Sequence, residues 1–222
     1  KDYDGTRAAV VSNWGALAGI DAGNPNVDYD FSAAVALFNN NIAGVGKQVA
    51  ITGITLTGTD MGLYRLATIS TTATINKVDL EIAAVDQAKV YGEADPELTV
   101  TYTGFITGES ASNLAGALEI NREVGENVGN YVVTPSGYTS ENYEIAFTAG
   151  DFEITKRDLA IAADAKTKVY GDIEPALTYA ITSGTLAFTD AFSGELVREV
   201  GEDVATYSIL QGGVTVMAAD VD

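Results

Sequence analysis

Apolar and polar residues alternate in short runs along most of this 222-residue chain. Leu98, Val100 and Tyr102 alternate with Thr99, Thr101 and Thr103, giving one apolar and one hydroxylated face, the period-two signature of a half-buried strand. Phe152 and Ile154 alternate with Glu153 and Thr155 in the same way. Nearer the start, Ile51, Ile54 and Leu56 interleave with Thr52, Thr55, Thr57 and Thr59 around glycines. The 23 glycines, against four prolines, punctuate these runs as turns between strands do. Helical periodicity is scarce, its best candidates being Ser32 to Phe38 and Ser110 to Ala117. The pattern predicts an all-β chain.

Self-similarity sets the domain organisation. KVDLEIAAVDQAKVYGEADPELT, Lys77 to Thr99, recurs as KRDLAIAADAKTKVYGDIEPALT, Lys156 to Thr178, 79 residues later. REVGENVGNY, Arg122 to Tyr131, recurs as REVGEDVATY, Arg198 to Tyr207, 76 residues later, so a short deletion separates the two blocks. Two ordered matches of this quality mark a tandem repeat. Three segments follow: 1–76, 77–155 and 156–222. Thr72 to Asn76 and Phe152 to Thr155 read as closing strands that feed directly into the next segment, with no Pro-, Gly- or Ser-rich linker. The expected architecture is a tandem array of small β-sandwich, immunoglobulin-like domains forming a stiff rod. With strands of about ten residues at roughly 3.3 Å each, three domains span on the order of 100 Å. A repeat of 79 residues is short for an immunoglobulin domain, so β-grasp-like domains are the alternative.

Composition narrows the function classes. The 31 acidic and 12 basic residues give a formal charge of −19. Clustered Lys and Arg are needed to neutralise phosphates, so nucleic acid is not an expected partner, and anionic lipid would repel the chain for the same reason. No run reaches the roughly 18 apolar residues of a spanning helix, and no signal peptide opens the chain. A secretion signal and an anchor are therefore expected elsewhere in a longer protein. The chain has no cysteine and no histidine. Disulfide staples are thus excluded, and with them most zinc chemistry and the Ser–His or Cys–His pairings of nucleophilic enzymes. No catalytic residue is expected.

The acidic clusters are the remaining chemistry. Glu93/Asp95/Glu97 and Asp172/Glu174 sit at equivalent repeat positions, beside Gly92/Gly171 and Pro96/Pro175. Solvated turns are the first reading, since a catalytic centre duplicated in every repeat is implausible. Calcium held by Asp95, Glu97, Asp172 and Glu174 is the second, because oxygen-rich loops between domains suit that ion. Asn127 to Tyr131 and Asp203 to Tyr207 match a tyrosine corner, in which a Tyr hydroxyl bonds back to nearby backbone. Gly125 and Gly201 are expected to supply positive φ beside them. Arg122 and Arg198 are expected to pair with acids across the sheet. Trp14, the only tryptophan, reads as a core residue, with sugar stacking as the alternative.

These same residues carry a resemblance. Val90-Tyr91-Gly92 with Pro96 and Leu98, the Arg122 to Tyr131 block and Asn142-Tyr143 resemble the MBG repeat of the YGX type, and Val169-Tyr170-Gly171 begins the match of a second copy. Lys1 to Thr6, Gly46 to Val49 and Gly53 to Asp60 resemble a YDG-type repeat, with Leu63-Tyr64 where that pattern usually has Asn-Tyr. The resemblance implies an extracellular, bacterial cell-surface location and an adhesin stalk or fibre. The implied partners are neighbouring domains or copies of the same protein, with a surface glycan or protein receptor as the alternative. Aligned on Tyr131 and Tyr207, Asp222 falls opposite Ala146, so the second copy has no counterpart of Phe147 to Thr155, and Ala218-Ala219 replaces Asn142-Tyr143. Either an array is cut short there or a neighbouring chain completes the sheet by strand addition.

Overall fold

A computed structural model describes residues 1–14 and 26–218. Its regular secondary structure is almost wholly β-strand, as the period-two pattern predicts. Two one-turn 3-10 helices, Met61–Leu63 and Ala111–Asn113, are the helical pieces among the described residues. A β-grasp domain needs a helix laid across its sheet, and among the described residues none is present.

Both helix candidates resolve differently. In the first, Val35–Phe38 is a strand with Ala36 and Phe38 buried and Val35 and Leu37 exposed. Pairing with Gly44–Thr52 imposes period two on a run whose alanines carry high helix propensity. In the second, Ser110 and Asn113 form a capping box around one turn, and the strand Ala115–Arg122 follows. Gly116 there has φ of +85°, and a Cβ on it would stand 2.3 Å from the Gly137 carbonyl oxygen, a geometry no helix offers.

The chain divides into two compact units. The first comprises Lys1–Ala83, Thr101–Glu119 and Ser136–Thr148. One of its sheets runs Ala8–Ala9, Val35–Phe38, Gly44–Thr52, Ile69–Ile75, with antiparallel neighbours throughout. Phe38, Val49 and Ile75 fall on its buried face. A second sheet places Val78–Ala84 between Tyr143–Thr148, which runs parallel to it, and Val100–Thr103. Leu80, Ile82 and Tyr143 are its buried residues. Two residues, Asn76 and Lys77, separate Ile69–Ile75 from Val78–Ala84, so the first junction is as short as the sequence predicts.

The second unit comprises Ala84–Val100, Ile120–Pro135 and Ala149–Asp222. Its largest sheet runs Ala115–Arg122, Gly129–Thr139, Gly150–Thr155, Gln87–Val90, the first two strands also contributing residues to the first unit. Gly150–Thr155 is antiparallel to Gly129–Val133 and parallel to Gln87–Val90. Phe152, Ile154 and Val133 are buried together, with Leu98, Ile120 and Tyr131 packed against them. The remainder forms two-stranded pairs: Ala160–Ala163 with Tyr179–Ser183, Ala191–Ser193 with Thr215–Met217, and Val197–Arg198 with Ile209–Leu210. The units do not follow the segment limits at 76 and 155, because segment 77–155 supplies strands to both.

Candidate functional site

In the first repeat copy, the strand Gln87–Val90 carries Lys89 and the turn beyond it carries Asp95. Arg122 closes the strand Ala115–Arg122, and Glu126 lies in the turn that follows. These four side chains form one cluster. Lys89 Nζ lies 2.6 Å from Asp95 Oδ1 and also bonds Glu126. Arg122 donates through Nε to Asp95 at 2.8 Å and through Nη2 to Glu126 at 2.9 Å. Its Nη1 ties the turn to the strand through the carbonyls of Glu123 and Gly125. Its guanidinium stands 4.9 Å over the Phe152 ring and 5.2 Å over that of Tyr131. Burial alone favours neutral Lys89, but its bonds to Asp95 and Glu126 outweigh that and its pKa lies above the ordinary lysine value. Burial likewise works against the Asp95 carboxylate, yet the bonds from Lys89 and Arg122 hold it below the usual range.

The second copy rebuilds this cluster with Lys168, Glu174, Arg198 and Glu202. Lys168 reaches Glu174 at 2.7 Å and Glu202 at 2.9 Å, and Arg198 reaches the same two acids at 2.7 and 3.0 Å. Hydrogen bonds from Lys168 and Arg198 hold Glu174 below its ordinary pKa. Both tyrosine corners form: Tyr131 donates to the Asn127 carbonyl at 2.7 Å and Tyr207 to that of Asp203 at 3.0 Å. Gly125 and Gly201 have φ of +144° and +154°, and a Cβ on either would stand 2.3–2.4 Å from the neighbouring ring. Only glycine lets each Tyr lie flat on its turn.

The copies differ in what covers the cluster. In the first, Gly150–Thr155 lies beside Lys89 and inserts Phe152 and Ile154 against Leu98, Tyr131 and Val133. In the second, the counterparts Leu177, Tyr207 and Ile209 line an open groove of about 340 Å³ together with Lys168, Tyr170 and Arg198. The exposure of the lysine side chain rises accordingly, from 3% at Lys89 to 22% at Lys168.

Of the four calcium candidates, Asp95 and Glu174 occupy one equivalent position and are both engaged by Lys and Arg. Glu97 and Asp172 are exposed. Among the described residues, no three acidic side chains gather as a cation cage. The Arg pairing arises as expected, although its partners lie in turns and not on the facing strand. Trp14 is half-buried and stacks on Phe31 at 5.1 Å. The sequence reading missed Glu109, which accepts from both Tyr3 and Tyr143 at 2.6 Å. It stands 106 residues from Tyr3, in a stretch without repeat identity, so no local pattern signals it.

The MBG domain (YGX type) family matches residues 80–153 and again 159–217, and the YDG domain family matches residues 1–75. No curated protein and no solved structure matches the chain. Both repeat families occur in bacterial surface proteins. A doubled Lys–acid–Arg cluster on a doubled tyrosine corner, preceded by a distinct β segment, agrees in order and extent with those matches, and the chain belongs to the MBG (YGX-type) family, with two MBG repeats following a YDG domain.

Proposed function

We propose that this chain is a structural segment of an extracellular bacterial adhesin, a stalk or fibre, and that its second MBG repeat is completed by an inserted strand. The groove beside Lys168 carries this reading. Its apolar lining, Leu177, Tyr207 and Ile209, is equivalent residue by residue to the lining that holds Phe152 and Ile154 in the first copy. A strand that alternates aromatic or aliphatic with polar residues fits such a groove. Pairing of this kind joins repeats through main-chain hydrogen bonds, and the chain's strong negative charge keeps unpaired copies apart.

A labelled peptide spanning residues 147–156, titrated into the 222-residue chain and followed by fluorescence anisotropy, tests the proposal. Saturable binding that is lost when Phe152 and Ile154 of the peptide are both changed to Asp is the expected result. Equal binding of the two peptides, or binding of neither, contradicts it.

A further inference from the structure

Each repeat motif begins with a tyrosine followed at once, or after one residue, by a glycine: Tyr3-Asp4-Gly5, Tyr91-Gly92 and Tyr170-Gly171. The first two of these tyrosines are 5% and 8% exposed, and they are held alike. Tyr3 donates its backbone N–H to the Asn76 carbonyl and Tyr91 donates to that of Thr155, both at 2.9 Å. Asn76 and Thr155 are equivalent repeat positions, the last residues before the next segment. Each tyrosine then projects into a turn of that next segment.

The two receiving turns share a design that their sequences conceal. Tyr3 gives its hydroxyl proton to Glu109 Oε1 at 2.6 Å, and Tyr91 gives its own to Asp190 Oδ1 at 3.2 Å. Glu109 closes a turn onto the Ile106 carbonyl, and Asp190 closes one onto that of Ala187, in each case three residues back. The apolar residue of the turn meets the motif glycine: a Cβ on Gly5 would stand 3.2 Å from Ile106 Cδ1, and one on Gly92 would stand 2.4 Å from Ala187 Cβ. An aromatic ring completes each socket edge-on, Tyr143 at 5.8 Å from Tyr3 and Phe188 at 5.3 Å from Tyr91. Ile106 and Glu109 align with Ala187 and Asp190 only at an offset of 81, not the 79 or 76 of the flanking blocks, so the equivalence is invisible to letter matching.

Tyr170 has the same preparation and a bare surface. Gly171 adopts φ of +87°, beside +76° at Gly5 and +82° at Gly92, and no atom lies within 4 Å of where its Cβ would be. Tyr170 is 72% exposed, with Val169 at 71% and Ile173 at 91% beside it.

We infer that Tyr170 is a docking tyrosine for a further MBG-type repeat, whose turn would present a carboxylate three residues after an apolar residue. The occupant is a further repeat and not a second copy of residues 1–222, because the two such turns among the described residues already hold Tyr3 and Tyr91. The inference is distinct from strand insertion: a strand in the groove would reach the Tyr170 backbone, as Thr155 reaches that of Tyr91, whereas the Tyr170 hydroxyl takes a turn.

The test extends the full chain after Asp222 with a copy of residues 147–222, which continues the alignment of Asp222 with Ala146. A control extension carries the copy of 147–155 alone and supplies the strand without a turn. Tyrosine nitration with tetranitromethane, resolved by peptide mass spectrometry, reads the joint, while amide exchange at residues 205–209 reads the groove. The expected result is that Tyr170 nitration in the long extension falls by roughly the ninefold ratio of its present exposure to that of Tyr91, and falls markedly less in the control, where the strand alone lies beside it. Changing the copied Asp190 to Ala restores part of the reactivity while exchange in the groove stays unchanged. A second long version, with a copy of 77–155 after the added strand, presents the Glu109 turn instead and covers the case in which the first added repeat does not fold. Tyr170 reacting as in the 222-residue chain in both long versions overturns the inference, whatever the groove does. A chain that dimerises without extension, with Tyr170 protected, overturns the choice of occupant.

Discussion

The two MBG copies carry the same ion cluster on the same turn, yet in one it is built into a core and in the other it lies on a surface. In the first copy Lys89 is buried and Arg122 lies under Phe152, while in the second Lys168, Glu174, Arg198 and Glu202 sit beside an open groove. The difference traces to one strand, Gly150–Thr155, and not to the cluster itself. Four charges that neutralise one another leave little net field to desolvate, so an apolar strand can close over them and a cation can face its ring. The same cluster thus occurs both beneath a strand and beside an open groove.

The contrast can be broken most forcefully at the covering strand. Phe152→Ala removes a fully buried ring from the first copy and is expected to cost about 3–5 kcal/mol in urea denaturation monitored at the second unit. Ile209→Ala, in the open groove, costs markedly less, since Ile209 has no such strand to pack against. Equal losses at the two positions would mean that the groove is already filled.

The lysines give the next effect. Lys89→Met is expected to destabilise by about 2 kcal/mol, less than a fully buried pair, because Asp95 and Glu126 side chains remain 37% and 31% exposed to screening water. Lys168→Met is expected to leave stability unchanged within error and to remove the salt sensitivity of its local exchange. The depressed Asp95 pKa means that this carboxylate adds stability above its unfolded value and loses it as pH falls through the lower folded value. Acid titration of Lys89→Met should therefore show a shallower loss than the parent chain.

A smaller effect sharpens the comparison at the joints. Burial and the bond to Glu109 raise Tyr3 to about 12. A raised pKa adds stability below the unfolded value near 10 and loses it as pH climbs through about 12. Tyr3→Phe should cost about 1 kcal/mol at neutral pH and flatten that alkaline limb, read by thermal melts between those limits. Tyr170→Phe, at an exposed ring, should leave stability at neutral pH unchanged. Calcium should matter least: with Asp95 and Glu174 held by Lys and Arg, millimolar calcium is expected to leave the melting temperature of the chain unmoved.

Much of this architecture was legible because local chemistry repeats. The tyrosine corners, Gly125 and Gly201, and the pairings of Arg122 with Glu126 and Arg198 with Glu202 lie within a few residues of their partners, whereas Asp95 and Glu174 come from the other repeated block, 27 and 24 residues away. Strand alternation at Phe152 and Ile154 was equally local. The alanines of residues 32–38 misled because helix propensity is a property of the residue, whereas the strand there is imposed by Gly44–Thr52. The tyrosine joints were hidden for a different reason. Their partners lie 106 and 99 residues away, and the receiving turns keep chemistry, an acid after an apolar residue, without keeping letters. The groove and its lining needed coordinates, since Leu177, Tyr207 and Ile209 come from separate blocks of the sequence.

Amide hydrogen exchange on the 222-residue chain tests the central claim most directly, by comparing residues 129–133 with their equivalents 205–209. Residues 129–133 pair with Gly150–Thr155, whereas among the described residues 205–209 pair only on the Val197–Arg198 side, so exchange at 205–209 should be at least about a hundredfold faster, and the 147–156 peptide should slow it. Equal protection of the two segments without peptide would contradict an open groove and, with it, completion of the second repeat by an inserted strand.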